Sequence, residues 1–374
     1  MAQGILRWLA TGLALITLHG AVAQAGGSDP ALPLLPPGQH VGAFYTPSED
    51  PATRAELDAA FGEVIQAGAS AFVLPISWDE LEPNPGEIDT AILERGLATL
   101  ASLGLRPYLN LSTINTVKLT LPSDLMTEDD YELADGRHFD DPVILDRFAR
   151  LLDAVVPLMV EHGGFFVSVG NEVEGWLESR PDEVPGYVSF VGAAREHAHK
   201  LAPELGVGAT ITHGGIARGV DFLDDLLAVS DAAALTYYPL TDDFSVRDPS
   251  VASADLEQIL TAAGDLPVLF QEVGYPSGES PIAHNGSSAE SQRQFISNFF
   301  AAMRQQPQVR LASVFQFSDW SSAVCDLLVQ YYTGQGTAPQ LHEFLCSLGL
   351  RAADGTPKPA YEAFLSAVKD LTRP

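Results

Sequence analysis

From residue 40 onward the chain alternates two hydrophobic patterns. Short apolar, β-branched runs bounded by turn residues predict strands at Val41–Tyr45, Ala71–Ser77, Pro107–Leu111, Phe165–Gly170, Gly206–Ile211, Ala233–Tyr238, Pro267–Gln271 and Ser313–Phe317. Between them apolar residues recur every three or four positions. That spacing predicts helices over Arg54–Ala67, Ile92–Leu103, Val143–Glu161, Val188–Leu201, Asp255–Ala263 and Glu290–Arg304. A last helix, Ala360–Thr372, follows Pro357 and Pro359, which suit a helix start and not its interior. Strands that each lead into a crossover predict an α/β fold, a (β/α)8 TIM barrel, as a single domain over residues 40–374. An open sheet built for a dinucleotide would carry a Gly-rich loop after its first strand. Phe44-Tyr45-Thr46-Pro47-Ser48 stands there instead.

Ahead of that pattern Arg7 precedes an apolar stretch, Trp8 to Val22, ending in the small-x-small triplets Ala21-Val22-Ala23 and Ala23-Gln24-Ala25. It predicts a signal peptide over residues 1–25 and hence a secreted or periplasmic protein, with a Pro-rich lead over 26–39. No later apolar run is long enough for a bilayer, so no membrane contact is expected after cleavage. The 374 residues are 46% hydrophobic and 9% aromatic, enough for a sizeable core. Charge narrows the partners: 20 Lys+Arg against 49 Asp+Glu leave a net −29, which repels phosphate backbones and argues against nucleic acid. Cys325 and Cys346 are the only cysteines, and an oxidising compartment permits a disulfide between them on the loop after the eighth strand. Two buried thiols acting as small apolar residues are the alternative.

In a barrel of this kind chemistry sits where strands end. Asn171-Glu172 ends the fourth predicted strand and Gln271-Glu272 the seventh, on roughly opposite sides of the axis. Two facing carboxylates suffice for retaining glycoside hydrolysis, one as nucleophile and the other as acid and then base. Asn171 suits a hydrogen bond to the sugar 2-hydroxyl, and Tyr237 and Tyr238 point to opposite sides by strand alternation. Trp78, Trp176 and Trp320 all fall at strand ends. Trp320 is expected to be the platform under the reacting sugar, with Trp78 and Trp176 lining the cleft. Glu174 reads as a solvated loop acid, Asp319 as a loop-end cap, His197 and His199 as structural, and His213 as a possible ligand contact. No His, Cys and carboxylate cluster has metal-site spacing, so neither a metal nor another cofactor is expected.

Glu172 and Glu272 at those strand ends resemble the catalytic pair of the clan A retaining glycoside hydrolases. The resemblance implies Glu172 as acid/base and Glu272 as nucleophile, and it spans about residues 40 to 370. Val169-Gly170-Asn171-Glu172-Val173 is similar to the strand-4 motif of the family 17 β-1,3-glucanases and family 53 β-1,4-galactanases. Glu272-Val273-Gly274-Tyr275-Pro276-Ser277 resembles the family 17 nucleophile segment, and Thr236-Tyr237-Tyr238-Pro239 the strand-6 motif of both families, which implies Tyr238 as the nucleophile's partner. Trp78-Asp79-Glu80-Leu81-Glu82-Pro83 looks like the segment of broader clan members such as families 5, 42 and 113, and Gly349-Leu350 followed by Asp354 to Ala360 resembles a frequent clan ending. The Arg that many clan members place near the early strand ends is missing. The expected function is an exported retaining glycoside hydrolase acting on a β-linked oligo- or polysaccharide such as a β-glucan or galactan. A transglycosidase or a non-catalytic carbohydrate-binding barrel are the alternatives.

Overall fold

The computed structural model describes residues 32–333 and 338–372. The predicted signal peptide lies outside the described residues. The strands run parallel around an axis: β1 (His40–Ala43), β2 (Ala71–Ser77), β3 (Arg106–Ser112), β4 (Phe166–Ser168), β5 in two halves (Gly206–Gly208 and Thr210–Thr212), β6 (Ala233–Tyr237), β7 (Val268–Val273) and β8 (Val309–Val314). The first half of β5 pairs with β4 and the second with β6, so this strand joins the two runs of the sheet, β2-β3-β4-β5 and β5-β6-β7-β8-β1. Between β1 and β2 the Ser70 N–H donates to the Val41 carbonyl at 2.9 Å. Gly42 permits this approach, since a Cβ there would lie 2.5 Å from the Ala71 carbonyl oxygen. The fold is the expected α/β TIM barrel.

The strand order follows the sequence pattern closely, with one displacement. The eighth strand begins at Val309, before the expected Ser313. Arg310 obscures its start in the sequence, because a charged residue interrupts an apolar run. In the structure Arg310 is buried, and its guanidinium donates to the Gly38 and Pro36 carbonyls at 2.8 and 2.7 Å. Those carbonyls belong to the Pro-rich lead, whose described part closes the floor of the barrel. Leu32 and Leu35 are fully buried in one cluster with Tyr108, Phe165 and Phe166. Residues 32–39 therefore fold with the barrel.

Helices form where caps meet the apolar spacing. Pro51–Ala67 and Pro142–Glu161 each begin with Pro behind an aspartate, and Asp50 and Asp141 accept the Thr53 and Val143 N–H groups at 2.8 Å. His197 and His199 lie on the outer helix Val184–Leu201 and face Asp153 and Asp231 at 2.8 and 2.9 Å, a structural placement. Two rim helices, Ser322–Thr333 and Pro339–Cys346, follow β8 and are joined by the Cys325–Cys346 disulfide. Among the described residues no helix is long and apolar enough to cross a membrane.

Candidate active site

A cavity of about 740 Å³ opens at the C-terminal ends of the strands, lined by both Glu172 and Glu272. Glu172 follows β4 with φ at 49°, a left-handed conformation costly for a side chain with a Cβ. The preceding residue is held by a short hairpin: Asn171 N–H donates to the Ile114 carbonyl, and Thr116 N–H to the Asn171 carbonyl, both at 2.8 Å. Glu172 Oε2 accepts from the Thr116 hydroxyl at 2.8 Å and Oε1 from the Thr236 hydroxyl at 2.7 Å. Thr236 on β6 is also the register partner of Glu272 on β7. One threonine thus ties the carboxylate of β4 to the strand beside the other carboxylate.

Glu272 Oε2 accepts from the Tyr238 hydroxyl at 2.5 Å. Burial, and next the charge of Glu172, push the Glu272 carboxyl upward, while the Tyr238 hydrogen bond opposes them. Glu272 therefore resists ionisation beside the charge of Glu172. Threonine hydroxyls can accept as well as donate. Thr116 and Thr236 can therefore hold Glu172 in either protonation state, while the phenol of Tyr238 favours the charged form of Glu272. Tyr237 points away as strand alternation requires, its hydroxyl donating to Asp255 at 2.9 Å.

Beneath the pair lies a polar network inside the barrel. Gln271 Nε2 donates to Asn171 Oδ1 at 2.7 Å, and Asn171 Nδ2 donates to Asn115 Oδ1 at 3.0 Å. Thr210 donates to Gln271 at 2.7 Å and shares hydrogen bonds with Tyr108 and Ser168. Asn171 is thus fixed at both ends and still lines the cavity, with one amide hydrogen left for a ligand. His213 lines the cavity too, and burial pushes its pKa down, toward a neutral imidazole.

The three tryptophans separate. Trp320 lines the cavity, packs edge-on against Phe315 at 5.6 Å, and its indole N–H has no partner among the described residues. Trp78 and Trp176 do not line the cleft, contrary to expectation. Trp78 is 0% exposed, donates to Glu82 at 2.7 Å and packs on Phe148. Glu82 in turn accepts from buried Arg147 at 2.6 Å, so the Trp78 to Pro83 motif anchors a rim helix to the core. Trp176 is 1% exposed, donates to the Tyr131 carbonyl at 2.8 Å and packs on Phe139. Both point inward because an indole at a strand end can serve as a wedge under the loop it begins.

Glu174 also departs from its expected role. It is 1% exposed, accepts the Thr212 N–H at 2.6 Å, and its second oxygen is unpartnered. Burial first, then Glu172, push its carboxyl up to about 7. Asp319 does cap its loop: it accepts from the Gly349 N–H at 2.7 Å and pairs with Lys358 at 2.6 Å, which ties the C-terminal segment to the end of β8.

Three groups around Glu172 have no role in the sequence reading: Thr116, Thr236 and Tyr332. Thr236 was legible, since it shares a strand face with Tyr238. Tyr332 was not. It reaches the cavity from the helix Ser322–Thr333, and its hydroxyl is pushed upward by burial and then by the charge of Glu172. No arginine replaces the missing one at the early strands, where Ser77 and Asn110 line the cavity instead. Among the described residues no cluster of His, Cys, Asp and Glu could hold a metal ion.

No model of a known protein family matches the sequence, and no curated protein does. Solved structures do match. A GH5_18 glycoside hydrolase from Bifidobacterium longum subsp. longum ATCC 55813, in complex with Manβ1-4GlcNAc, superposes with TM-score 0.67 at 16% identity, covering 89% of this chain and 78% of that one. The exo-β-1,4-mannosidase of Opitutaceae bacterium strain TAV5 gives 0.69 at 17% identity, with 92% and 62% covered. A family 39 glycoside hydrolase from Bacteroides cellulosilyticus WH2 gives 0.58 at 14% identity, with 91% and 64% covered. At such identities the shared property is the fold. These neighbours lend no support to a special closeness to families 17 or 53.

Proposed function

We propose that the protein is a retaining glycoside hydrolase acting on a β-linked glycoside, with Glu272 as nucleophile and Glu172 as acid/base. The carrying observation is that both carboxylates line one cavity, with Tyr238 donating to Glu272 and two hydroxyls to Glu172. The Glu272 carboxylate attacks the anomeric carbon while Glu172 gives its proton to the departing oxygen. A water deprotonated by Glu172 then hydrolyses the glycosyl ester, and the released proton restores Glu172. Asn171 donates to the sugar 2-hydroxyl, and Trp320 forms the platform beneath the reacting ring. The fold likeness to a mannosidase, and to a hydrolase holding Manβ1-4GlcNAc, makes β-mannosides the first substrates to try, ahead of β-glucan and galactan. Export rests on the signal-peptide pattern of residues 1–25.

The test is hydrolysis of a panel of β-mannosides, β-glucosides and β-galactosides, with the first-formed anomer followed by NMR. Cleavage of one series with a β product first supports the reading. An α product first would mean inversion and a different role for Glu272. Turnover that yields mainly new glycosides would assign the chain to transglycosylation.

A further inference from the structure

One wall of the cavity suits something other than a sugar. On the helix Ser322–Thr333, Val324, Leu327, Leu328 and Tyr331 line the cavity, a spacing that puts them on one helix face. Cys325 and Val329, on another side, are buried, and Cys325 is bridged to the helix Pro339–Cys346. Among the described residues one apolar face of this helix is covered and the other only in part: Lys118 lies over the Tyr331 ring at 4.6 Å, while Leu327 remains 38% exposed. Phe244 and Phe344, stacked at 5.8 Å, extend the wall, and Phe344 meets the ring of Tyr238 at 5.0 Å. The apolar surface thus runs up to the residue that donates to Glu272.

The other side of the cavity is polar. Ser77, Asn110, Asn115 and Thr116 line it, and Asn110 Oδ1 is buried without a partner in a side chain only 6% exposed. A polysaccharide brings hydroxyls on both edges, and an aliphatic wall would strip their water while offering no hydrogen bonds. Sugars also stack on rings, and Val324, Leu327 and Leu328 have none.

We propose that the cavity is built for an amphiphilic glycoside: a sugar held by the polar wall and a linear alkyl aglycone laid on the partly covered face of Ser322–Thr333. The claim about which bond is cut rests on the glycosidase reading, but the claim about what binds does not. The experiment uses the full chain carrying Glu172→Gln, to suppress turnover. It is titrated calorimetrically with methyl, butyl and octyl β-D-mannopyranoside and β-D-glucopyranoside, all below their micellar concentrations. Octyl glycosides are expected to bind at least 30-fold more tightly than methyl ones, with butyl between. Adding Leu327→Asn, at a partly exposed position that opens no core, should cut that ratio to a few-fold. The proposal is overturned if octyl glycosides fail to bind, if they bind no tighter than methyl ones, or if the gain survives Leu327→Asn. A wild-type chain that hydrolyses none of the β-mannosides, β-glucosides and β-galactosides tried, while the octyl gain persists in the variant, would remove the glycosidase reading and leave this one standing.

Discussion

The two ends of the barrel are built from the same strands and solve opposite problems. At the floor, Leu32 and Leu35 fill the opening, and the carbonyls of Pro36 and Gly38 are consumed by Arg310. At the mouth the strands end in groups that are held but not exhausted: Glu172, Glu272, Asn171, the unpartnered Asn110 oxygen and the Trp320 N–H. The floor uses burial to gain stability, whereas the mouth accepts a backbone in the left-handed region and two facing carboxylates. Stability and chemistry are thus placed at opposite ends of one sheet.

Substitutions at the two ends should therefore separate activity from stability. The largest effect is expected at the mouth. Glu172→Gln should lower kcat on a glycoside with a poor leaving group by about 10³–10⁴, with little change in Tm. Equal losses on good and poor leaving groups would deny it the acid role. At the floor, Leu35→Ala should cost about 2–4 kcal/mol in denaturant unfolding, through lost burial and the cavity left behind. Its kcat/KM below the unfolding transition should stay unchanged, and a fall there would mean the two ends are coupled.

A smaller effect sharpens the boundary between them. Glu174 sits just under the mouth with its carboxyl raised from 4.5 to about 7. The folded state holds that proton more tightly than the unfolded state, so stability falls as pH rises from about 4.5 through 7. Glu174→Gln removes this loss. The stability difference between variant and wild type should move in the variant's favour by up to about 3 kcal/mol between pH 4.5 and 8. A pH-independent difference would show that folding does not raise the Glu174 carboxyl.

Legibility in the sequence follows the same division. The strands and outer helices could be read because a parallel barrel repeats its pattern at each unit. Arg310 hid the start of β8 because its partners are backbone carbonyls of the lead, which no side-chain pattern reveals. The pair Glu172 and Glu272 stood out because both close a strand, and Tyr238 because it precedes Pro239. Position alone failed for Trp78, Trp176 and Glu174. A residue at a strand end can turn into the cavity or under the loop, and the choice depends on partners such as Glu82, Tyr131 and the Thr212 N–H. Tyr332 enters the site from a helix beyond β8, so its proximity to Glu172 is a tertiary fact.

The central claim is that Glu272 forms the covalent bond, and chemical rescue tests it most directly. Glu272→Gly should lose hydrolysis of a 2,4-dinitrophenyl β-glycoside of the preferred sugar. Added azide should restore release of the phenol and give the α-glycosyl azide, because the small anion occupies the face that Glu272 has vacated. A variant that retains near wild-type hydrolysis, or one whose azide product keeps the β configuration, would contradict the assignment.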